Sequence, residues 1–227
     1  MASRALFTSR AGGWSTGAYS SRNLGTHVGD DPEVVRRNRD QLAEEVGVCT
    51  DRFFFMEQVH GSEVIVVDES SDPSELRRCD AMITRTPGTA LVVLVADCAP
   101  LLLIGERTSA VVHVGWRGLF AGIVEKVLAD MEYERFTAII GPTICSSCYQ
   151  VGADLYDQAL ERGFIVGNQR LDIPRSIIKI LHDVAGKRVE RAEWNGICTL
   201  ESESHYSYRR DQLTGRQAGV VIHDPQI

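Results

Sequence analysis

No stretch of this chain approaches the roughly 20 consecutive apolar residues that a membrane helix needs. The opening Met1–Trp14 also lacks the apolar run of a secretory signal. Basic residues are in deficit, 24 Lys and Arg against 31 Asp and Glu, and the net charge of −7 argues against the basic face that duplex nucleic acid requires. There is no internal repeat, low-complexity tract or obvious interdomain linker. These absences predict a soluble, cytoplasmic protein of one domain spanning 1–227, with neither nucleic acid nor membrane as partner. Six cysteines could be drawn as three disulfides, but a chain with 44% hydrophobic residues can bury a full core without covalent staples. The thiols are therefore expected to be reduced, and any bound metal to be catalytic rather than structural.

What is present reads as interleaved strands and helices. Asp31-Pro32-Glu33 combines a capping acid with a first-turn proline, and Gly47 is placed to end the helix that follows. Val35, Leu42 and Val46 form its apolar stripe, and Arg39 falls within that stripe, where a guanidinium needs a carbonyl, a carboxylate or a ligand. Apolar β-branched runs at Val64–Val67 and Leu91–Val95 read as strands, the second too hydrophobic to face water on either side. Leu101–Ile104 and Ala110–Val112 continue the pattern. Gly115-Trp116-Arg117-Gly118 leads into a helix whose core face is Leu119, Ile123, Val127 and Met131. Further on come a strand at Ala138–Ile140, a helix over Ala153–Glu161 stopped by Gly163, and a helix from Asp172 with Pro174 in its first turn and apolar contacts from Ile177, Ile178, Leu181 and Val184. Gly219–Ile222 reads as a last strand. Strands do not alternate strictly with helices, so an α+β fold with mixed sheets is expected rather than a doubly wound parallel sheet.

Three metal-capable side chains stand at the edges of apolar segments: His60 in Gln58-Val59-His60-Gly61, Cys98 in Ala96-Asp97-Cys98-Ala99-Pro100, and His113 in Val111-Val112-His113-Val114-Gly115. Two imidazoles and a thiolate suit zinc and leave a fourth tetrahedral position for water or substrate. Their spacing is not that of a compact zinc finger, and taken singly each residue has an ordinary structural reading. Asp97 could serve in proton transfer, provided that the strand ends before Cys98, since neighbours in an extended strand point to opposite faces.

At these segments the chain resembles the YfiH/YlmD-like multicopper polyphenol oxidase, or laccase-domain, family of purine nucleoside phosphorylases. The resemblance is carried by Gln58-Val59-His60-Gly61, Ala96-Asp97-Cys98-Ala99-Pro100 and His113-Val114-Gly115-Trp116-Arg117-Gly118. It runs on through Thr8-Ser9-Arg10-Ala11-Gly12-Gly13, Asn23-Leu24-Gly25, Gly29-Asp30-Asp31, Asn38-Arg39, Gly141-Pro142-Thr143-Ile144, Cys148-Tyr149, Cys198-Thr199, Ser207-Tyr208-Arg209-Arg210-Asp211 and Thr214-Gly215-Arg216-Gln217. It implies mixed β-sheets packed as a sandwich flanked by helices. It further implies zinc on His60, Cys98 and His113, with Arg39 in the active site as a catalytic and substrate-binding residue. Asn23, Trp116 and Arg117 match motif positions and are carried as substrate-binding candidates. The implied partners are purine nucleosides and phosphate, with phosphorolysis of adenosine, inosine, guanosine and methylthioadenosine and deamination of adenosine.

The chain departs from the family at Cys145, where glycine is common, and at Gln150, where glutamate is common. The resulting Cys145-Ser146-Ser147-Cys148 could be a redox pair or half of a zinc site, but there is no second CxxC, and it reads as structural. Cys49 and Cys79 read as structural as well. His27 lies in a matching loop, His205 reads as packing or surface, and His182 and His223 have no motif supporting a ligand role. Three rivals stand beside the nucleoside reading. Copper-dependent phenol oxidation calls for more histidines than the six here. A cysteine amidase using Cys98 with His113 as base would suit cell-wall precursor editing, and a zinc-stabilised binding module would do no chemistry at all.

Overall fold

The computed structural model describes residues 3–131 and 134–224, so Met1 and Ala2 of the opening segment lie outside the described residues. In chain order the first strands are β1 (Arg4–Phe7), β2 (Phe53–Phe54), β3 (Met56–Glu57), β4 (Val64–Val67), β5 (Arg77–Arg78), β6 (Ala81–Thr84) and β7 (Thr89–Val95). They are followed by β8 (Ala99–Gly105), β9 (Ser109–Val114), β10 (Phe136–Ile140), β11 (Val166–Gly167), β12 (Arg170–Leu171), β13 (Val189–Trp194) and β14 (Gln217–His223). The helices are α1 (Pro32–Val46), α2 (Trp116–Phe120), α3 (Ile123–Asp130), α4 (Ala153–Glu161), α5 (Ile173–Ala185) and α6 (Tyr208–Asp211).

Two mixed sheets dominate, one ordered β1-β14-β7-β2 and the other β13-β10-β8-β9-β6-β4. Within them β2/β7, β10/β13 and β4/β6 pair in parallel and the other neighbours antiparallel. The period-two alternation of strand side chains assigns the layers. Along β7, Ala90, Val92 and Leu94 pack with Leu42, Ala43 and Val46 of α1, while Leu91, Val93 and Val95 meet Met82, Leu102 and Val111 of the other sheet. The opposite residues of that sheet, including Ile83, Leu101, Leu103 and Val112, pack under α3 and α5. The molecule is thus a sheet-on-sheet sandwich with a helix layer outside each sheet, the α+β architecture expected. Burial of β7 on both faces explains its continuous apolar run, each large side chain contributing about 1.5–3 kcal/mol.

The helix ends follow local chemistry. The Asp31 carboxylate caps α1 by accepting from the Glu33 N–H, and Gly47 closes it at φ 71°. Asp172 caps α5 in the same way through the Arg175 N–H. Two expectations need correction. The stripe Leu119, Ile123, Val127 and Met131 is buried, but not on one helix: Gly122, at φ 76°, separates α2 from α3. Val184 is 50% exposed, because the buried face of α5 runs through Ile173, Ile177, Ile180, Leu181 and Ala185 and leaves Val184 outside it. Among the described residues no helix is long and apolar enough to cross a membrane.

Candidate metal centre

One buried carboxylate builds most of the site. Asp80 immediately precedes β6, is fully buried, and accepts hydrogen bonds from the backbone N–H groups of Val59 (3.3 Å), His60 (2.9 Å) and Gly61 (2.6 Å). That loop is held tightly enough for His60 to sit at φ 59°, a left-handed conformation that a non-glycine residue adopts at a cost. Asp80 Oδ1 also lies 2.7 Å from His113 Nδ1, on β9, and its carbonyl accepts from the His113 N–H at 2.7 Å. The carboxylate therefore fixes the ring of one histidine and the backbone of the other. It leaves His113 Nε2 directed away from Asp80, the arrangement that prepares an imidazole for a metal.

Cys98 arrives from the other side. Strand β7 stops at Val95, and Asp97 turns the chain at φ 91° before β8 begins at Ala99, so Asp97 and Cys98 share one cavity. The ligand atoms of His60, Cys98 and His113 lie within 4.8 Å of one another, and the two imidazole rings meet edge to face with centroids 4.7 Å apart. Close approach needs Gly115, where a Cβ would lie 3.1 Å from Cys98 Sγ and 3.4 Å from the His60 ring. Burial opposes ionisation of the Cys98 thiol, but His113 and His60 outweigh it and lower its pKa to about 6. For His113 burial favours the neutral ring, and Cys98 with Asp80 overcomes that and raises the pKa to about 9. In the metal-free protein both shifts favour a thiolate beside an imidazolium. Two nitrogens and one sulfur with a carboxylate behind them form a donor set that fits zinc.

The three residues border a cavity of about 300 Å³, whose wall includes His27, Gln58, Ile144, Tyr149, Arg209 and Arg216. The Asp97 carboxylate is committed to that wall: it accepts from Thr199 Oγ1 at 2.6 Å and from the Arg209 N–H at 2.6 Å. Its carbonyl accepts from Thr143 Oγ1 and the Ile144 N–H. Asp97 is thus a brace for three loops rather than a free proton carrier.

The other predicted residues stand further back, and none of Asn23, Arg39, Trp116 or Arg117 lines the cavity. Arg39 donates from Nε to the Leu24 carbonyl at 2.9 Å and stacks 3.7 Å over the Phe55 ring, and burial lowers its pKa to about 10. Its charge reaches the cavity through His27, whose pKa falls through burial first and then through Arg216 and Arg39. Asn23 is fully buried, accepting from the N–H groups of Gly25 and Arg216 and donating to the Gly25 carbonyl and Asp30. Both amide protons and both oxygen lone pairs are used, so Asn23 holds the loops in place and has nothing left for a substrate. Trp116 packs edge to face on Phe120, and Arg117 covers its ring at 4.5 Å. His205 and His223 are bonded to Ser202 and Ser109, away from the centre.

Asp80, Arg209 and Arg216 acquire their importance only here. Arg209 and Arg216 stood in recognisable motifs without a role. Asp80 carried one signal, a carboxylate abutting the apolar run Ala81-Met82-Ile83 that opens β6.

With this geometry the chain matches, over residues 4–224, the family described as multi-copper polyphenol oxidoreductase laccase. It belongs to that family, in its YfiH-like branch. It is 39% identical over 232 residues to a purine nucleoside phosphorylase of Corynebacterium glutamicum, covering 96% of this chain and 93% of the relative. It is 32% identical to the purine nucleoside phosphorylase YfiH of Escherichia coli, with coverages of 96% and 92%. Among solved structures, a Neisseria meningitidis protein of the DUF152 family superimposes with a TM-score of 0.84 at 33% identity, over 98% of this chain and 94% of that one. YlmD from Geobacillus stearothermophilus does so with a TM-score of 0.86 at 27% identity, over 98% and 92%.

Proposed function

We propose that this protein is a zinc-dependent purine nucleoside enzyme. In this reading it is a single catalytic domain of the cytoplasm that cleaves adenosine, inosine, guanosine and methylthioadenosine with phosphate and deaminates adenosine. The observation that carries the reading is the convergence of His60, Cys98 and His113 at the wall of a cavity that also presents two arginines and two tyrosines. The relatives named purine nucleoside phosphorylase support the substrate class.

His60, Cys98 and His113 would hold the metal, and Asp80 would keep both histidines aligned. Zinc, when bound, supplies a Lewis acid that makes a water nucleophilic near neutral pH. Arg209 and Arg216 are the cavity's guanidinium groups and would hold phosphate, since arginine matches its oxygens in pairs. In phosphorolysis a phosphate oxygen bonds to the anomeric carbon as the glycosidic bond breaks, and a positioned dianion shortens that encounter. In deamination water adds at C6 of adenine and ammonia leaves. Tyr149 and Tyr208 offer faces on which a purine can stack. Arg39 would act one step removed, by holding the Leu24 loop and by adding to burial and Arg216 in lowering the His27 pKa. The motif glycines at Gly115 and Gly118 allow close packing, since a Cβ would lie 3.1 Å from Cys98 Sγ at the first and 3.0 Å from the Gly61 carbonyl oxygen at the second.

The test follows adenosine with and without phosphate, quantifying inosine, adenine and ribose 1-phosphate in the wild type and in Cys98→Ala. Both activities and the zinc of this centre should vanish together in the variant. Full activity in Cys98→Ala that has lost the zinc of this centre defeats the reading. Copper also accepts two imidazoles and a thiolate, and metal analysis of the same samples decides between the two ions.

One observation favours a second reading. Cys98, His113 and Asp80 stand in the order of a thiol nucleophile, its base and the acid that orients the base, as an amidase of cell-wall precursors would use them. Metal removal separates the two: chelation abolishes the nucleoside chemistry and leaves a cysteine hydrolase active.

A further inference from the structure

The Cys145-Ser146-Ser147-Cys148 pair does not stand alone in the folded chain. Cys145, Cys148, Cys198 and Glu201 bring three sulfurs and a carboxylate oxygen within 4.8 Å of one another. Cys148 Sγ lies 3.3 Å from Glu201 Oε1. The pair forms one tight turn, with the Cys148 and Tyr149 N–H groups both donating to the Cys145 carbonyl at 3.0 and 2.9 Å. The partner segment turns back on itself through the Ser202 N–H to the Cys198 carbonyl, and the Cys145 N–H donates to Cys198 Sγ at 3.4 Å. All three thiols are free. Tetrahedral zinc with Zn–S distances of about 2.3 Å places its sulfurs about 3.8 Å apart, and all four ligand atoms here already lie within 4.8 Å of one another.

We propose that these four residues form a second zinc site, built of three thiolates and the Glu201 carboxylate and separate from the His60, Cys98 and His113 centre. A CxxC turn is half of such a site, and here the other half is a lone cysteine with a glutamate three residues on. Four potential anions this close repel one another, and a divalent cation relieves that repulsion. The two segments are otherwise joined by the Thr143 to Cys198 bridge and the hydrogen bonds alongside it. The site is a staple for the cavity wall: Ile144 and Tyr149 flank the cysteine turn and border the cavity, while Thr199 follows Cys198 and holds Asp97 beside Cys98.

Elemental analysis of the purified full-length protein should find two zinc ions per chain in the wild type, one in Cys98→Ser and one in Cys148→Ser. X-ray absorption should count three sulfur neighbours around the zinc of Cys98→Ser and an average of two per zinc in the wild type. The wild-type count needs no variant, so it holds the test open if a substitution prevents folding. One zinc per chain with a single sulfur neighbour overturns the proposal, as does copper in the three-sulfur group. Recovery of Cys145, Cys148 or Cys198 in a disulfide, read as a mass 2 Da below that of the reduced chain, overturns it too. Because Cys98→Ser empties only the catalytic centre, failure of this site and failure of the nucleoside reading give different results.

Discussion

The two halves of the cavity are built differently. Asp80, Cys98 and His113 sit at or beside the ends of strands that are buried on both faces, and one carboxylate, Asp80, ties the His60 loop to them. Ile144, Tyr149, Tyr208, Arg209 and Arg216 are carried on loops and on one short helix, braced to the first half by Asp97. Strand ends in a packed sandwich cannot shift independently, so they suit ligands whose geometry must be right to a fraction of an ångström. Loops vary more readily, and they bring the aromatic and cationic groups that recognise a substrate. The strand half should therefore govern metal and turnover, and the loop half substrate affinity.

Substitutions that separate metal from substrate binding test this division. Arg216→Ala should keep its catalytic zinc and lose about 10²–10³-fold in kcat/KM with phosphate, the loss expected on removing one preorganised charged donor. Steady-state kinetics at varied phosphate, beside metal analysis, checks it, and loss of the metal would break the division.

On the strand side, Asp80→Asn keeps the shape of the residue and removes its charge. Zinc affinity at His60, Cys98 and His113 should fall roughly 10–100-fold, read by competition with a chromophoric chelator. Unchanged affinity would show that the carboxylate is not what aligns the histidines.

The metal-free protein sharpens the comparison within the thiols. With its pKa lowered to about 6, Cys98 is mostly thiolate at pH 7, where an ordinary thiol is thiolate to only a few per cent. Its alkylation should rise with pH through about 6 and reach its plateau by neutrality. Cys79, pushed up to about 12 by burial, should stay inert over the same range. Peptide mapping after timed iodoacetamide treatment measures both, and a Cys98 midpoint near 8.5 would refute the thiolate–imidazolium pair.

The smallest effect is expected at Arg39. Arg39→Ala removes a carbonyl hydrogen bond and a stacking contact over Phe55 and should cost about 1–2 kcal/mol of stability. The zinc should stay bound. Denaturant melts and metal content check both parts, and a loss of turnover as large as that of Arg216→Ala would return Arg39 to the cavity itself.

Much of the fold could be read directly. The two-sided apolar run of β7, the Asp31 and Asp172 caps, the Gly47 stop and the bounds of α4 are local chemistry, and the motifs around His60, Cys98 and His113 named the metal-capable trio. Arg39 was conspicuous as a guanidinium in an apolar stripe, but its partners, Leu24 and Phe55, are brought to it by folding. Asn23 matched a motif for a reason visible only once Arg216 lay against it.

The sequence by itself determined the long apolar strands, the capped helices and which residue types could bind a metal, because periodicity, caps and side-chain chemistry are properties of short stretches; the short strands and the break between α2 and α3 carry no such local signal. Only the tertiary structure decided that Asp80 serves both histidines, that Asp97 braces the wall rather than carrying protons, and that Cys198 and Glu201 complete the group begun by Cys145 and Cys148. Those relations join residues tens of positions apart, and a contact between them exists only after the two sheets have packed and set the strand ends and loops side by side.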